Sequence, residues 1–197
     1  MDASPVDPRG SRPGGRSAQV RERVLAAAAD ELLEHGFERF AVTRVAERAE
    51  VHHTTIYRRW PTKSELVFDA VVELADAYAQ PVDQGSLRAD LRAYFIGVGA
   101  AFGDRRTAAL IRGLVAIRPD DLVDARRAYW AGRFRITDEI FERAAARGEV
   151  VAPADRQRAV ELIAGPLWMR GLVTSLPIDE GVVGSFVDDA LRAIGHA

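Results

Sequence analysis

Apolar residues recur three or four positions apart in one segment after another of this 197-residue chain, which is the period of a helix face rather than of a strand. Val20, Val24, Leu25, Ala28, Leu32 and Leu33 mark the first such face, with Ser17 as candidate N-cap and Gly36 as a stop. "RVAERA" presents Val45, Ala46 and Ala49 behind Thr43, the expected cap of a short helix. Thr62 and Glu65 make a capping box that opens a longer helix bearing Leu66, Val67, Ala70, Val71 and Leu74, which fades at "QPVDQG". Further helices are expected from Ser86, around "TAALIRGLVAI", from Asp120 to "RAAARGE", from Pro153, and over 183–194. The chain is therefore expected to be all-α, with about nine helices.

One stretch breaks the rhythm. "VHHTTIYRRW", residues 51–60, has β-branched residues beside aromatics, yet it lies between helical patterns and is cut off by Pro61. Read as a helix, it turns Ile56 and Trp60 inward, four apart, and leaves His53, Thr54, Tyr57 and Arg58 facing outward. Two short helices with a turn near Glu50 and Val51 make a helix-turn-helix. The second helix of such a motif enters the DNA major groove, about 12 Å wide, where hydroxyls, imidazoles and guanidinium groups reach phosphates and base edges.

Composition narrows the alternatives. A net charge of −2 rules out a uniformly basic nucleic-acid binder, so any basic surface must be local. With no cysteine there is no disulfide framework, zinc finger or thiol nucleophile. Neither an apolar leader nor an apolar run of membrane length is visible, so a cytoplasmic protein without a membrane partner is expected. Residues 1–16, with three prolines and three glycines, read as a disordered basic tail whose Arg9, Arg12 and Arg16 would follow the DNA backbone or enter a minor groove. "GVGAAFG" has no strand before it and reads as a place where helices or a ligand approach closely, not as a nucleotide loop. His52 and His53 are adjacent, so they are expected to point apart and bind no metal. No catalytic motif and no cofactor site is expected, hence no enzyme.

Residues 20 to 66, including "EHGF", the threonine before "RVAERA", "TTIYRRW" and the following K-S-E-L, strongly resemble the DNA-binding region of the TetR (tetracycline-repressor) family of bacterial regulators. The resemblance implies that Thr43 and Arg44 touch the DNA backbone or groove edge. It puts His52, His53 and Thr54 nearest the bases, Thr55, Tyr57 and Arg58 on flanking phosphates, and Lys63 on a phosphate at a helix N-terminus. Two positions depart from the family pattern, Glu50 where glycine is usual and His52 where serine is usual. A left-handed Glu50 would cost about 1–2 kcal/mol, so the turn is either strained or rearranged.

The domains are expected to be the tail, a DNA-binding domain with linking helix over 17–79, and a larger helical domain for ligand binding and dimerisation over 80–197. "RAAARGEV" and "GPLWMRGLV" resemble the family's C-terminal domain. By that resemblance Phe95, Phe102, Trp130, Phe134, Trp168 and Met169 would line a cavity for an unidentified small molecule. Leu167, Val183, Val187, Leu191 and Ile194 would pair with a second copy. The expected function is a homodimeric repressor released from a palindromic operator in double-stranded DNA by an apolar or aromatic ligand. The alternative is a ligand-independent DNA binder of the same fold, or one controlled by a protein partner.

Overall fold

The structure is a computed structural model, and it describes residues 15–115, 117, 123–149 and 151–196. The basic tail, apart from Gly15 and Arg16, lies outside the described residues, as does the helix start expected at Asp120. Helix α1 (Gly15–His35) runs back past Ser17, which therefore sits inside the first turn and is not its cap. Val24, Leu25, Ala28 and Leu32 form its buried face, and Gly36, at φ 71°, closes it by donating its N–H to the Leu32 carbonyl at 2.9 Å. Helix α2 (Val42–Arg48) begins one residue before Thr43, so Thr43 is exposed in its first turn. A carboxylate from α1 replaces the expected hydroxyl cap: the Ala41 N–H donates to Glu31 Oε1 at 3.1 Å.

Helix α3 (His53–Arg59) follows, then α4 (Lys63–Asp76), whose N-cap Thr62 accepts the Glu65 N–H at 3.2 Å as the capping box requires. Val45, Ala46, Ala49, Ile56, Trp60, Leu66, Val67 and Val71 close around α1 as one core. The Trp60 indole N–H, buried with its ring, is satisfied by Asp69 Oδ2 at 2.8 Å. That core reaches past residue 79, because Leu110 and Ile111 of α6 (Arg105–Val115) belong to it.

The second core is built by α5 (Leu87–Gly103), α7 (Val123–Ala146), α8 (Pro153–Trp168) and α9 (Glu180–Ala193). Leu87, Leu91, Phe95, Ile140, Phe141 and Ile163 fill it. Nine α-helices and one π-helix, Met169–Thr174, are thus present among the described residues, and no strand is. Pro166 lies within α8, and the π-helix directly continues from it.

The expected dimer stripe turns inward. Val183, Val187 and Leu191 are 1%, 1% and 0% exposed in a single chain, Leu167 is fully buried, and Ile194 is half-buried. They pack on α5 and α8 within the second core. Their spacing recorded burial correctly, but a stripe that long is what a helix needs when two neighbouring helices cover it. Only Ile194 of the five keeps surface within reach of a second copy.

Candidate nucleic-acid interface and ligand cavity

The turn between α2 and α3 is not rearranged. Glu50 occupies the left-handed region at φ 54°. Its N–H donates to the Glu47 carbonyl at 3.2 Å and the Val51 N–H to the Ala46 carbonyl at 3.0 Å, the two bonds of a Schellman ending. The residue usually found there is glycine because a Cβ in this conformation meets the following carbonyl. His52 then caps α3: its Nδ1 accepts the Thr54 N–H at 3.4 Å and lies 2.8 Å from Thr54 Oγ1. That cap is long, as expected for an imidazole in a serine's place.

Anchored by Ile56 and Trp60 underneath, α3 presents an exposed face of His53, Thr54, Tyr57 and Arg58, with Thr55 half-buried at its edge. The two histidine rings do not diverge. Their centroids are 4.3 Å apart, because His52 is outside the helix in an extended conformation and its ring folds back over the first turn. Tyr57 meets the His53 ring edge-on at 6.4 Å, which orients both. Arg59 lies over the Trp60 ring at 5.4 Å, while Arg58 has no ion-pair partner among the described residues.

The other cations named by the sequence are held by the protein itself. Arg44 donates from Nε to Glu31 Oε1 at 2.8 Å and from NH2 to the Arg39 carbonyl at 2.5 Å. Glu31 is 0% exposed. Burial by itself would push its carboxyl up, but hydrogen bonds from Arg44 and the Ala41 N–H, with the Arg44 and His35 charges, outweigh that and hold it below its ordinary value. Arg48 pairs with Glu34 in the same manner. These two pairs clamp α2 to α1 and so fix the platform on which α3 stands. Lys63, the first residue of α4, reaches back to the Phe37 carbonyl at 3.3 Å and sits over the Phe37 ring at 4.4 Å, with further N–H donors to spare.

The second core contains a cavity of about 500 Å³. Phe95 on α5, Trp130 and Phe134 on α7 and Trp168 at the end of α8, four of the six residues named for a ligand cavity, line it. Phe102 stands one step away: it packs edge-on to Trp168 at 5.3 Å and lines a smaller gap of about 60 Å³ against α4. Met169 is 54% exposed on the π-helix and is not in the cavity wall. Helical geometry explains this, since Trp168 points inward and its neighbour is turned away. Sequence reasoning missed Arg133, Thr137, Gln157 and Glu161, the polar members of the wall. The signal was available, because Trp130, Arg133, Phe134 and Thr137 stand at i, i+3, i+4 and i+7 on one face of α7.

A buried-anchor helix-turn-helix joined to a helical body with a ligand-sized cavity defines the class: a DNA-binding regulator. A family model of bacterial regulatory proteins, tetR family, matches residues 24–70, and one of the tetracyclin repressor-like C-terminal domain matches 81–190. The chain belongs to the TetR family of transcriptional regulators, which bind DNA and are not enzymes. It is 32% identical over 171 residues to the HTH-type transcriptional regulator AqdR of Rhodococcus erythropolis, spanning 85% of this chain and 83% of that one. To the DNA-binding transcriptional repressor TetR of Mycobacteroides abscessus it is 33% identical over 176 residues, spanning 87% and 91%. The crystal structure of the TetR family transcription regulator SCO0332 superposes with a TM-score of 0.72 at 26% identity, covering 91% of this chain and 98% of that one. Among the described residues no helix is long and apolar enough to cross a membrane.

Proposed function

We propose that the chain is a homodimeric transcriptional repressor that binds a palindromic operator through α3 and leaves it when a small apolar or aromatic molecule fills the cavity beside Trp130 and Trp168. The observation that carries the DNA half is the exposed polar face of α3 over its buried Ile56 and Trp60. His52, His53 and Thr54 are the residues nearest the bases, while Thr43, Thr55, Tyr57, Arg58 and Lys63 meet phosphates. Arg44 acts from behind, by holding α2 through Glu31. Acting on DNA places the protein in the cytoplasm.

One such motif makes few base contacts, so two copies reading two half-sites are required for specificity. With Val183, Val187 and Leu191 spent on the chain's own core, the dimer face is the outward side of α8 and α9. Leu162 is exposed on α8, Met169 and Val173 are exposed on the π-helix that continues it, and Phe186 is half-buried on α9. Genome-wide binding of the protein should recover palindromic sites with half-site centres about one helical turn apart, or a small multiple. Recovery of sites with no two-fold symmetry would overturn this reading.

A further inference from the structure

Within the cavity wall, Arg133 is the only cation among the described lining residues, and its guanidinium is already engaged. Its NH2 lies 2.7 Å from Asp76 Oδ1, and its carbon sits 5.9 Å from the centre of the Tyr94 ring, another lining residue. The Arg133 side chain is only 11% exposed. Asp76 is the last residue of α4, the helix whose first residue, Lys63, is the proposed phosphate contact. Arg133, Val98 and Trp168 also line the small gap on α4, so they are the partition between that helix and the cavity.

We infer that the cavity takes a ligand with an apolar ring or chain and one anionic head, and that this head draws Arg133 away from Asp76 and so releases the end of α4. The inference rests on the ligand-regulated reading above and adds the ligand's charge and the point at which it acts. The one guanidinium among the described lining residues, set beside Tyr94, Phe134 and Trp168, is the group suited to hold a carboxylate, since its planar donors match two oxygens at once. Glu161, the acid of the wall, is exposed and hydrogen-bonded by Gln157 at 2.7 Å, which together with exposed Trp130 and Gly165 marks the open side. An anionic head is therefore directed inward, away from Glu161. Burial already pushes the Asp76 carboxyl up, against the lowering effect of Arg133 and with a further push from Glu73. Deprived of its guanidinium, a half-buried carboxylate must gain water or a proton, and moving the end of α4 outward supplies water.

Calorimetric titration of the full-length protein with three probes of one shape decides the matter: naphthaleneacetate, its neutral amide, and the corresponding naphthylethylammonium ion. The carboxylate should bind at least about tenfold tighter than the amide, because the charged head gains charge-assisted hydrogen bonds that the amide lacks. Arg133→Gln should abolish that preference while leaving amide affinity in place. Asp76→Asn should strengthen carboxylate binding, since the competing anion is gone, and should make operator affinity insensitive to the compound. A purely structural strut would leave the acid-to-amide ratio unchanged in both variants. If Arg133→Gln fails to fold, the wild-type ratio and Asp76→Asn still decide. Equal affinity for acid and amide, preference for the ammonium ion, or no binding of any of the three would each overturn the inference. An uncharged compound that nevertheless released operator would leave the ligand-regulated reading standing without it.

Discussion

Glu50 holds a backbone conformation that glycine would adopt at less cost, and it does so to keep a turn whose two carbonyl-closing bonds are intact. Its side chain is exposed, and Arg23, at 3.9 Å, is its one ion-pair partner among the described residues. Glu50→Gly should therefore raise stability by about 1 kcal/mol, the left-handed penalty less the added entropy of a glycine in the unfolded chain. Thermal melts check this, and a lower melting temperature would show that Glu50 contributes a contact worth more than its strain. Glu31 makes the opposite case. Its carboxyl is held below its ordinary 4.5, so the folded state takes up the proton less readily than the unfolded chain does. Its stabilisation is complete above the unfolded value and is lost as pH falls through the folded one. Wild type should melt above Glu31→Gln at about pH 6, and the gap should narrow as pH falls below the carboxyl's ordinary 4.5. A gap constant across that range would mean that Glu31 stabilises by shape alone.

At the scale of elements, α3 and the junction of α4 with α5 carry the account. Tyr57→Phe should weaken operator binding with no change in melting, because the residue is exposed and its hydroxyl has no hydrogen-bond partner among the described residues. Lys63→Ala should lower the salt slope of binding by about one unit, as loss of one phosphate contact requires. An unchanged slope would remove Lys63 from the DNA. At the other end of α4, a Cβ on Gly97 would stand 2.0 Å from the Tyr78 carbonyl oxygen, so glycine is what lets α5 approach the end of α4. Gly97→Ala should cost about 1–3 kcal/mol by forcing the two apart, and should weaken ligand–operator coupling more than it weakens either binding event. "GVGAAFG" was legible as a place of close approach, although its partner was not. Local signals such as Thr62, Ser86 and Gly36 were readable because a cap or stop involves residues next to it in sequence. Thr43 and Ser17 were misread because distant or preceding residues decided those ends: Glu31 for α2, and the run back to Gly15 for α1. Of the six residues that the family resemblance implied for the cavity, Phe95, Trp130, Phe134 and Trp168 line it. Arg133 was not legible, since its meaning depends on Asp76 lying across from it.

For the whole molecule, the stripe on α9 illustrates what periodicity omits. It reports that a face is covered and is silent on whether the same chain or another covers it. Leu162→Glu on the outward side of α8 should convert the dimer to monomers and abolish operator binding while leaving helix content intact, whereas Val187→Glu should unfold the second core. Sedimentation and circular dichroism separate the two outcomes, and a dimeric Leu162→Glu would move the interface elsewhere. The central claim is that cavity and operator are coupled through α4, and linkage states it in measurable form: each must weaken the other by the same factor. Trp130 and Trp168 report on the cavity once Trp60→Phe silences the DNA-side indole. Titrating each cavity-binding compound against their emission, first with free protein and then with operator bound, measures that factor directly. The account predicts a compound whose affinity falls about 5–150-fold on operator, with operator affinity falling equally. Compounds that fill the cavity yet bind free and operator-bound protein alike would contradict it.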